Sequence, residues 1–159
     1  MQKLVADIML AKLARWLRIV GVEVENTPYS NDDRIINYVR RRHALLLTQD
    51  RALSLRSKRR KFKVLLAQGR TLDEQLAFTA HKLGVRLDVI PEAVCPICNS
   101  KLSKVNRSLV IDKIPESARQ RRKFYFCANC KKVYWKGTHF AQIKNRLAKA
   151  RQLQKKLGQ

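Results

Sequence analysis

The four cysteines of the chain form two C-x-x-C pairs, Cys95 with Cys98 and Cys127 with Cys130. Two such pairs allow four thiolates to bind one Zn²⁺ tetrahedrally, while the segment between them forms a small sheet. A redox pair or two disulfides is the alternative, but it must explain why no cysteine lies outside the pairs. We therefore expect a structural zinc ribbon. Four thiolates leave no position for a substrate water, so any chemistry must be performed elsewhere.

Three aspartates, Asp7, Asp33 and Asp50, are the candidates for that chemistry. Asp7 and Asp50 each follow the apolar part of a predicted strand. Asp33 lies at the start of a predicted helix that follows a different strand. Ligands of an open parallel sheet bind at the carboxyl ends of its strands, so the three carboxylates can meet there. Oxygen ligands without a nearby histidine suit Mg²⁺ or Mn²⁺, which would neutralise a phosphate and activate a water for attack on a phosphodiester. The alternative is helix capping, to which we assign Asp32 and which would also suit Asp33 and Asp50.

The segments that must position these acids alternate between strand and helix patterns over roughly the first 90 residues. The predicted strands are Lys3 to Ile8, Val22 to Asn26, Ala44 to Thr48, Phe62 to Ala67 and Val85 to Ile90. The predicted helices run from Leu10 to a stop at Gly21, from Asn31 or Asp32 to about Arg42, from Arg51, and from a Thr71-x-x-Glu74 capping box to Gly84. This alternation predicts an α/β fold with a parallel sheet covered on both faces.

Pro91 marks the expected end of the α/β part. We predict three parts, namely an α/β domain at 1–91, a zinc ribbon at 92–139 and a basic C-terminal helix at 140–159. The helix is predicted from apolar residues at helical spacing among basic ones, which are Ile143, Leu147, Ala150, Leu153 and Leu157. Because the joint at Pro91 is short, we expect the ribbon to dock on the α/β part.

The charge of the chain indicates its partner. Thirty-five Lys and Arg against twelve Asp and Glu give a net charge of +23 on 159 residues, which is typical of a protein that neutralises phosphates. A solvated basic surface, or a cationic helix on an anionic membrane, is the alternative. No stretch approaches the ~18 apolar residues of a membrane span, and the N-terminus lacks a signal-peptide pattern. We expect no membrane partner and a cytoplasmic, reducing location, which keeps the thiols free for metal.

Basic residues are concentrated in two segments. Eight lie between Asp50 and Asp73 with no acid among them, and thirteen follow Glu116, again with no acid. Aromatic residues beside the second cysteine pair could stack on bases, although at least one must serve as ribbon core. We expect RNA contacts from Arg15, Arg18, Lys58, Arg59, Arg60, Lys61, Arg121, Arg122, Lys131, Lys132, Trp135, Lys136 and His139. Trp16 is expected to pack in the protein rather than contact RNA.

The segment from Asp7 to Gly21, read DIMLAKLARWLRIVG, resembles the opening of the Mut-seven C-terminal RNase domain family. This family is a branch of the PIN-like nucleases in which the nuclease domain is followed by a zinc ribbon. Later landmarks agree in order. They are Asn31 to Asp33, Leu46 to Leu53, Glu74 to Leu76, Cys95 to Asn99 and Val133 to His139.

The resemblance implies a PIN-like three-layer α/β/α domain in which Asp7, Asp33 and Asp50 bind Mg²⁺ or Mn²⁺ and catalyse RNA hydrolysis. Two classes of function then remain. The first is a metal-dependent ribonuclease, favoured by the three acids. The second is a non-catalytic RNA- or ribosome-binding protein on a nuclease-like scaffold, with ribosomal RNA as its partner. The basic C-terminal segment and the lack of a further acid between Asp50 and Asp73 favour this second class.

Overall fold

A four-stranded parallel sheet forms the centre of the N-terminal part, in a computed structural model that describes residues 2–90 and 94–158. The strands are β1 (Leu4–Ala6), β2 (Val24–Asn26), β3 (Leu45–Thr48) and β4 (Val64–Leu66). Their order in the sheet is β2-β1-β3-β4, and every neighbouring pair is parallel. The two central strands, β1 and β3, are nearly continuous apolar runs because helices cover both of their faces.

Five α-helices accompany the strands in the described residues. They are α1 (Ala11–Ile19), α2 (Asp32–Arg42), α3 (Arg51–Arg59), α4 (Leu72–Leu83) and α5 (Thr138–Lys156). Helix α2 begins where the sequence predicts, because the Asn31 side chain accepts hydrogen bonds from the backbone N–H groups of Asp33 and Arg34. The predicted capping box of Thr71 and Glu74 opens α4, and Gly84 ends it with a φ of 65°.

Alternate residues of the central strands face two separate apolar cores, which makes the structure three-layered. Leu4, Ala6 and Leu47 lie in one core together with apolar side chains of α1, α4 and α5. Val5 and Leu46 face the opposite side and pack against α2 and α3. The predicted α/β/α arrangement is therefore confirmed.

The predicted fifth strand, Val85 to Ile90, was wrong. This segment is not part of the sheet, although its Leu87 is buried in the core. Side chains of α5 satisfy its backbone instead: Gln154 donates to the carbonyl of Val85 at 2.9 Å, and Arg151 donates to the carbonyl of Leu87 at 2.9 Å. An apolar run thus packs on the core without strand partners because another helix supplies the hydrogen bonds.

The ribbon is a three-stranded antiparallel sheet in the order β5-β6-β7. Its strands are β5 (Ser103–Val105), β6 (Phe124–Phe126) and β7 (Val133–Trp135). Phe124 is fully buried and packs with Val110, Ile114 and Ala118 from the long β5–β6 connection. The ribbon therefore has a small apolar core of its own.

The ribbon contacts the α/β part through a buried arginine of α1. Arg18 is only 2% exposed, and its guanidinium donates to the carbonyls of Val24 at 2.8 Å and of Ile97 at 2.9 Å. The side-chain oxygen of Asn99 accepts from the backbone N–H of Val24 at 2.9 Å. The turn that carries the first cysteine pair is thus attached to the edge strand β2. The ribbon therefore docks on the α/β part, as we expected from the short joint at Pro91.

Helix α5 returns from the ribbon to the α/β part and packs along α4. Its Leu147 and Ala150 are buried in the core that also contains α1 and α4. The helix begins at Thr138, slightly before the predicted start at 140. The division of the chain into the parts 1–91, 92–139 and 140–159 stays a prediction. Among the described residues, no helix is both long enough and apolar enough to cross a membrane.

Candidate active site and metal centre

The first acid, Asp7, lies directly after β1 at the carboxyl edge of the parallel sheet. Its residue is 4% exposed, and its backbone N–H donates to the carbonyl of Leu47 in β3 at 2.9 Å. The hydroxyl of Thr48 donates to the Asp7 carboxylate oxygen Oδ2 at 2.9 Å. Asp7 is thus a nearly buried carboxylate whose orientation is set by the neighbouring strand.

Asp50 lies on the same edge, two residues beyond the end of β3. Its backbone N–H donates to the hydroxyl oxygen of Thr48 at 3.0 Å, so Thr48 connects Asp7 to Asp50. The Asp50 oxygen Oδ1 also caps α3 by accepting from the N–H of Leu53 at 2.9 Å. Capping and placement at the sheet edge are therefore both present, and Asp50 is only partly exposed.

Asp33 is held differently, by Arg56 of α3 and by Arg60, which directly follows that helix. Its Oδ1 contacts the guanidinium of Arg56 at 2.8 Å and that of Arg60 at 3.1 Å. Arg56 also contacts Asp32 at 2.8 Å, and these two aspartates raise the pKa of Arg56. Each carboxylate thus has a cationic partner.

The structure does not bring Asp7, Asp33 and Asp50 into one cluster. In residues 2–90 and 94–158, the four cysteines are the one group of three or more His, Cys, Asp or Glu side chains whose ligand atoms all lie within 4.8 Å of one another. The physical reason is that Arg56 and Arg60 hold Asp33, whereas Thr48 joins the other two acids. A shared metal site of the three acids stays a prediction.

An open cleft of about 960 Å³ lies at the carboxyl edge, and residues close in sequence to Asp7 and Asp50, rather than the two acids themselves, line it. The cleft is lined by Met9, which lies close to Asp7 in sequence, and by Gln49 and Arg51, which lie on either side of Asp50. The connection between β4 and α4 also lines it. Gly69 and Arg70 are the lining residues of that connection that lie just before α4. Two arginines and one acid, Glu74, line the cleft, so its charged groups are net positive and suit an anionic ligand.

The four cysteines converge as the sequence predicts. Their sulfur atoms all lie within 4.8 Å of one another, with 4.0 Å between Cys95 and Cys130 and 3.5 Å between Cys98 and Cys127. A tetrahedron with Zn–S bonds of ~2.3 Å has sulfur–sulfur edges of about 3.8 Å. The four thiols therefore fit a metal such as zinc, and all four are free rather than paired in disulfides.

The surroundings of the thiols favour a bound cation. Against the effect of burial, hydrogen bonds with Ser100 and Asn129 lower the pKa of Cys98 to about 5. The hydrogen bond with Cys98, together with burial, raises the pKa of Cys130 to about 12. One thiolate thus opposes ionisation of the next, and a divalent metal removes this conflict by neutralising them together. The Tyr134 hydroxyl, 3.0 Å from the sulfur of Cys95, adds a further hydrogen-bonding group to the site.

Most of the residues expected to contact RNA are exposed. These are Arg15, Lys58, Arg59, Arg60, Lys61, Arg121, Arg122, Lys131, Lys132, Lys136 and His139. Arg60, however, is paired with Asp33. Trp135 is partly buried and packs against Phe124 in the ribbon core, with ring centroids 6.5 Å apart. The expectation for Arg18 does not agree with the structure, because its buried guanidinium is bonded to protein carbonyls and is not accessible to RNA.

Three residues of the site were missed or misassigned by sequence reasoning. Thr48 ends a predicted strand, and its hydroxyl two positions before Asp50 is a signal for the observed turn. Arg18 follows Leu10 and Ala14 at intervals of four, which places it on the apolar face of α1 and would have indicated burial. The pairing of Arg56 with Asp32 and Asp33 joins positions more than twenty residues apart, and no local pattern predicts it.

A three-layer parallel sheet with aspartates at its carboxyl edge, followed by a four-cysteine ribbon, defines a PIN-like α/β protein with a candidate zinc site. The model of the Mut7-C RNAse domain family matches residues 2–147, so the chain belongs to this family. No curated protein and no solved structure matches the chain. Family membership indicates a nuclease-like function related to RNA.

Proposed function

We propose that this protein is an RNA-binding ribonuclease that hydrolyses phosphodiester bonds at the carboxyl edge of its parallel sheet. The observation that carries the proposal is the connection Asp7–Thr48–Asp50, in which the Thr48 hydroxyl donates to the Asp7 carboxylate and accepts from the backbone N–H of Asp50. It links two acids from different strands at the edge where their sequence neighbours line an open cleft. Capping alone would account for Asp50 but not for a nearly buried Asp7 at the end of β1. The net charge of +23 supports a polyanionic substrate.

In this proposal the arginines of the cleft bind the substrate and the aspartates bind the catalytic ion. Arg51 and Arg70 line the cleft and would bind substrate phosphates. Asp7 and Asp50 would hold Mg²⁺ or Mn²⁺, with Asp33 as a third ligand if it leaves its arginine partners. Bound there, such an ion would supply charge neutralisation at the scissile phosphate and an activated water. The oxygen donors fit a hard cation, and Thr48 keeps the Asp7 carboxylate oriented.

One observation favours a second candidate function, a non-catalytic RNA- or ribosome-binding protein. Arg56 and Arg60 neutralise Asp33 within the protein, which is what a scaffold that no longer binds a catalytic ion would show. Ribosomal RNA would then be the partner of the basic surfaces. Either function suits a reducing compartment such as the cytoplasm, which keeps the four thiols available for zinc.

The test compares the wild type with Asp50→Asn on single-stranded RNA in Mn²⁺ or Mg²⁺. Asparagine keeps the helix cap but removes the charge, so α3 should persist. If Asp50 holds the ion, cleavage should fall about 100-fold or more, equivalent to roughly 3 kcal/mol of transition-state stabilisation. RNA affinity should be unchanged or slightly higher, because one repulsion toward phosphate is removed.

Asp112→Asn is the matched control, since Asp112 is an exposed acid of the ribbon. It should cleave as the wild type does. Equal cleavage by wild type and Asp50→Asn would contradict the proposal, because the activity would then come from another site or a contaminant. RNA binding without cleavage in any divalent metal would replace it with the non-catalytic candidate.

A further inference from the structure

A basic groove of about 1080 Å³ runs between α1 and the N-terminal half of α5. Its walls carry Lys12 and Arg15 from α1 and Arg146 and Lys149 from α5. Asp73, in the first turn of α4, is the acid among the lining residues. Four cations from two helices thus face one concave surface that the two helices build together.

The one acid of the groove is neutralised within the protein. Arg146 contacts the Asp73 carboxylate at 3.1 Å, and its guanidinium lies 5.4 Å from the ring centroid of Trp16. Lys12, Arg15 and Lys149 are exposed and form no ion pair with any residue of the described ranges. Three positive charges are therefore uncompensated on a surface whose other charges are already paired.

The groove continues to the candidate active site. It shares Asp73 and Lys149 with an adjoining cavity of about 520 Å³, to which Lys155 and Lys156 add two more cations. That cavity in turn shares Glu74 with the cleft at the carboxyl edge. The Glu74 carboxylate accepts the backbone N–H groups of Arg70 at 2.7 Å and Thr71 at 3.0 Å, so it is partly compensated. The three concave surfaces therefore adjoin one another at shared residues, and their charged lining residues are eight cations and two acids, Asp73 and Glu74.

We propose that these three surfaces form one path, which binds the phosphates of an RNA strand and leads the strand from the ribbon side of the molecule to the carboxyl edge of the sheet. A long concave surface that carries cations in each of its three parts fits an extended polyanion, whereas a flat membrane would contact only its rims. Trp16 and Ile143, which pack against the core, are apolar lining residues of the groove. The inference rests on the proposed RNA function, and it assigns the binding surface that serves the site.

The experiment compares two triple variants with the same change in net charge, both in the Asp50→Asn background so that RNA remains intact. The groove variant is Lys12→Gln, Arg15→Gln and Lys149→Gln. The control variant is Lys3→Gln, Arg40→Gln and Arg41→Gln, which removes three exposed cations at the amino edge of the sheet, away from the path. Zinc content and circular dichroism verify that both are folded. Affinity for a fluorescent single-stranded RNA is then measured between low and moderate salt.

The groove variant should bind RNA about 10- to 100-fold more weakly at 0.1 M salt, and its log–log salt slope should be smaller by about two, since each single-strand phosphate contact contributes ~0.7. The control variant should remain within about twofold of its parent. Equal weakening of both variants would overturn the inference, because binding would then depend on overall charge, and so would unchanged binding of the groove variant. If the groove result holds while the wild type never cleaves, the binding path stands and only catalysis is refuted.

Discussion

Replacement of Arg18 by methionine should detach the ribbon from the α/β part. The guanidinium makes five hydrogen bonds, two to the carbonyl of Val24 and one each to Asn26, Pro96 and Ile97. Methionine fills a similar volume but leaves these acceptors without a donor. The four acceptors are neutral oxygens, and each unsatisfied buried acceptor costs about 1–3 kcal/mol. Since some of them are only partly buried, we expect a loss of about 3–5 kcal/mol in the free energy of unfolding.

The assay is urea unfolding followed by tryptophan fluorescence. Trp16 in α1 reports on the α/β part and Trp135 in β7 reports on the ribbon, so single-tryptophan backgrounds separate the two. In Arg18→Met the Trp135 transition should occur at lower urea than the Trp16 transition, because the ribbon loses its attachment first. Arg15→Met is the matched control on the same helix, where an exposed arginine should change stability by less than about 0.5 kcal/mol.

Arg18→Lys keeps the charge but cannot span the same set of carbonyls, so its loss of stability should lie between those of the wild type and Arg18→Met. This variant also provides a measurement if Arg18→Met fails to fold. A loss below about 1 kcal/mol with coincident transitions would refute the reasoning, since it would mean that the buried guanidinium contributes little to the contact.

Two further predictions concern the metal centre and the wall of the cleft. The protein should contain about one Zn²⁺ per chain. Cys127→Ser should abolish zinc binding and unfold the ribbon, while α4 and α5 stay packed. Zinc-free protein with a native ribbon spectrum would contradict this prediction. Gly69→Ala should reduce stability by about 2 kcal/mol or more, because the added Cβ would lie 2.6 Å from the Cβ of Glu74 at a φ of +123°. Gly84→Ala, at a φ of +65° with nothing within 4 Å, is the control and should cost only about 1 kcal/mol; equal losses in thermal unfolding would rule out the close contact as the cause.

Local signals were sufficient to predict the elements of the α/β part that begin with a recognisable cap. Asn31 and the Thr71–Glu74 pair both satisfy backbone N–H groups within three or four residues. The start of each helix can therefore be predicted from neighbouring residues alone. The cysteine spacing was equally informative, since a tetrahedral site requires two closely spaced pairs.

Sequence reasoning failed where a distant segment decided the outcome. The segment from Val85 to Ile90 has a strand-like apolar pattern, but Gln154 and Arg151 bind its carbonyls in place of a neighbouring strand. The ion pair of Asp33 with Arg56 from another helix was likewise not foreseen, and the role of Asp33 as a metal ligand stays a prediction. In each case the contact is made by a long side chain that is remote in sequence. Such contacts cannot be predicted from the local sequence pattern and are seen only in the structure.

The return of α5 to the α/β core has a consequence for the entropy of the ribbon. Both ends of the ribbon are anchored on one body, by the bond from Ile90 N–H to the carbonyl of Ile19 on one side and by the packing of Leu147 on the other. A metal-free, unfolded ribbon would therefore be a closed loop of roughly 50 residues with fewer conformations than a free tail, which makes refolding around the metal less costly. Because each doubling of such a loop costs only about 0.6 kcal/mol, insertions into the β5–β6 connection away from its buried residues Val110, Ile114 and Ala118 should be tolerated. The ribbon can thus change in length without loss of the helix that closes it.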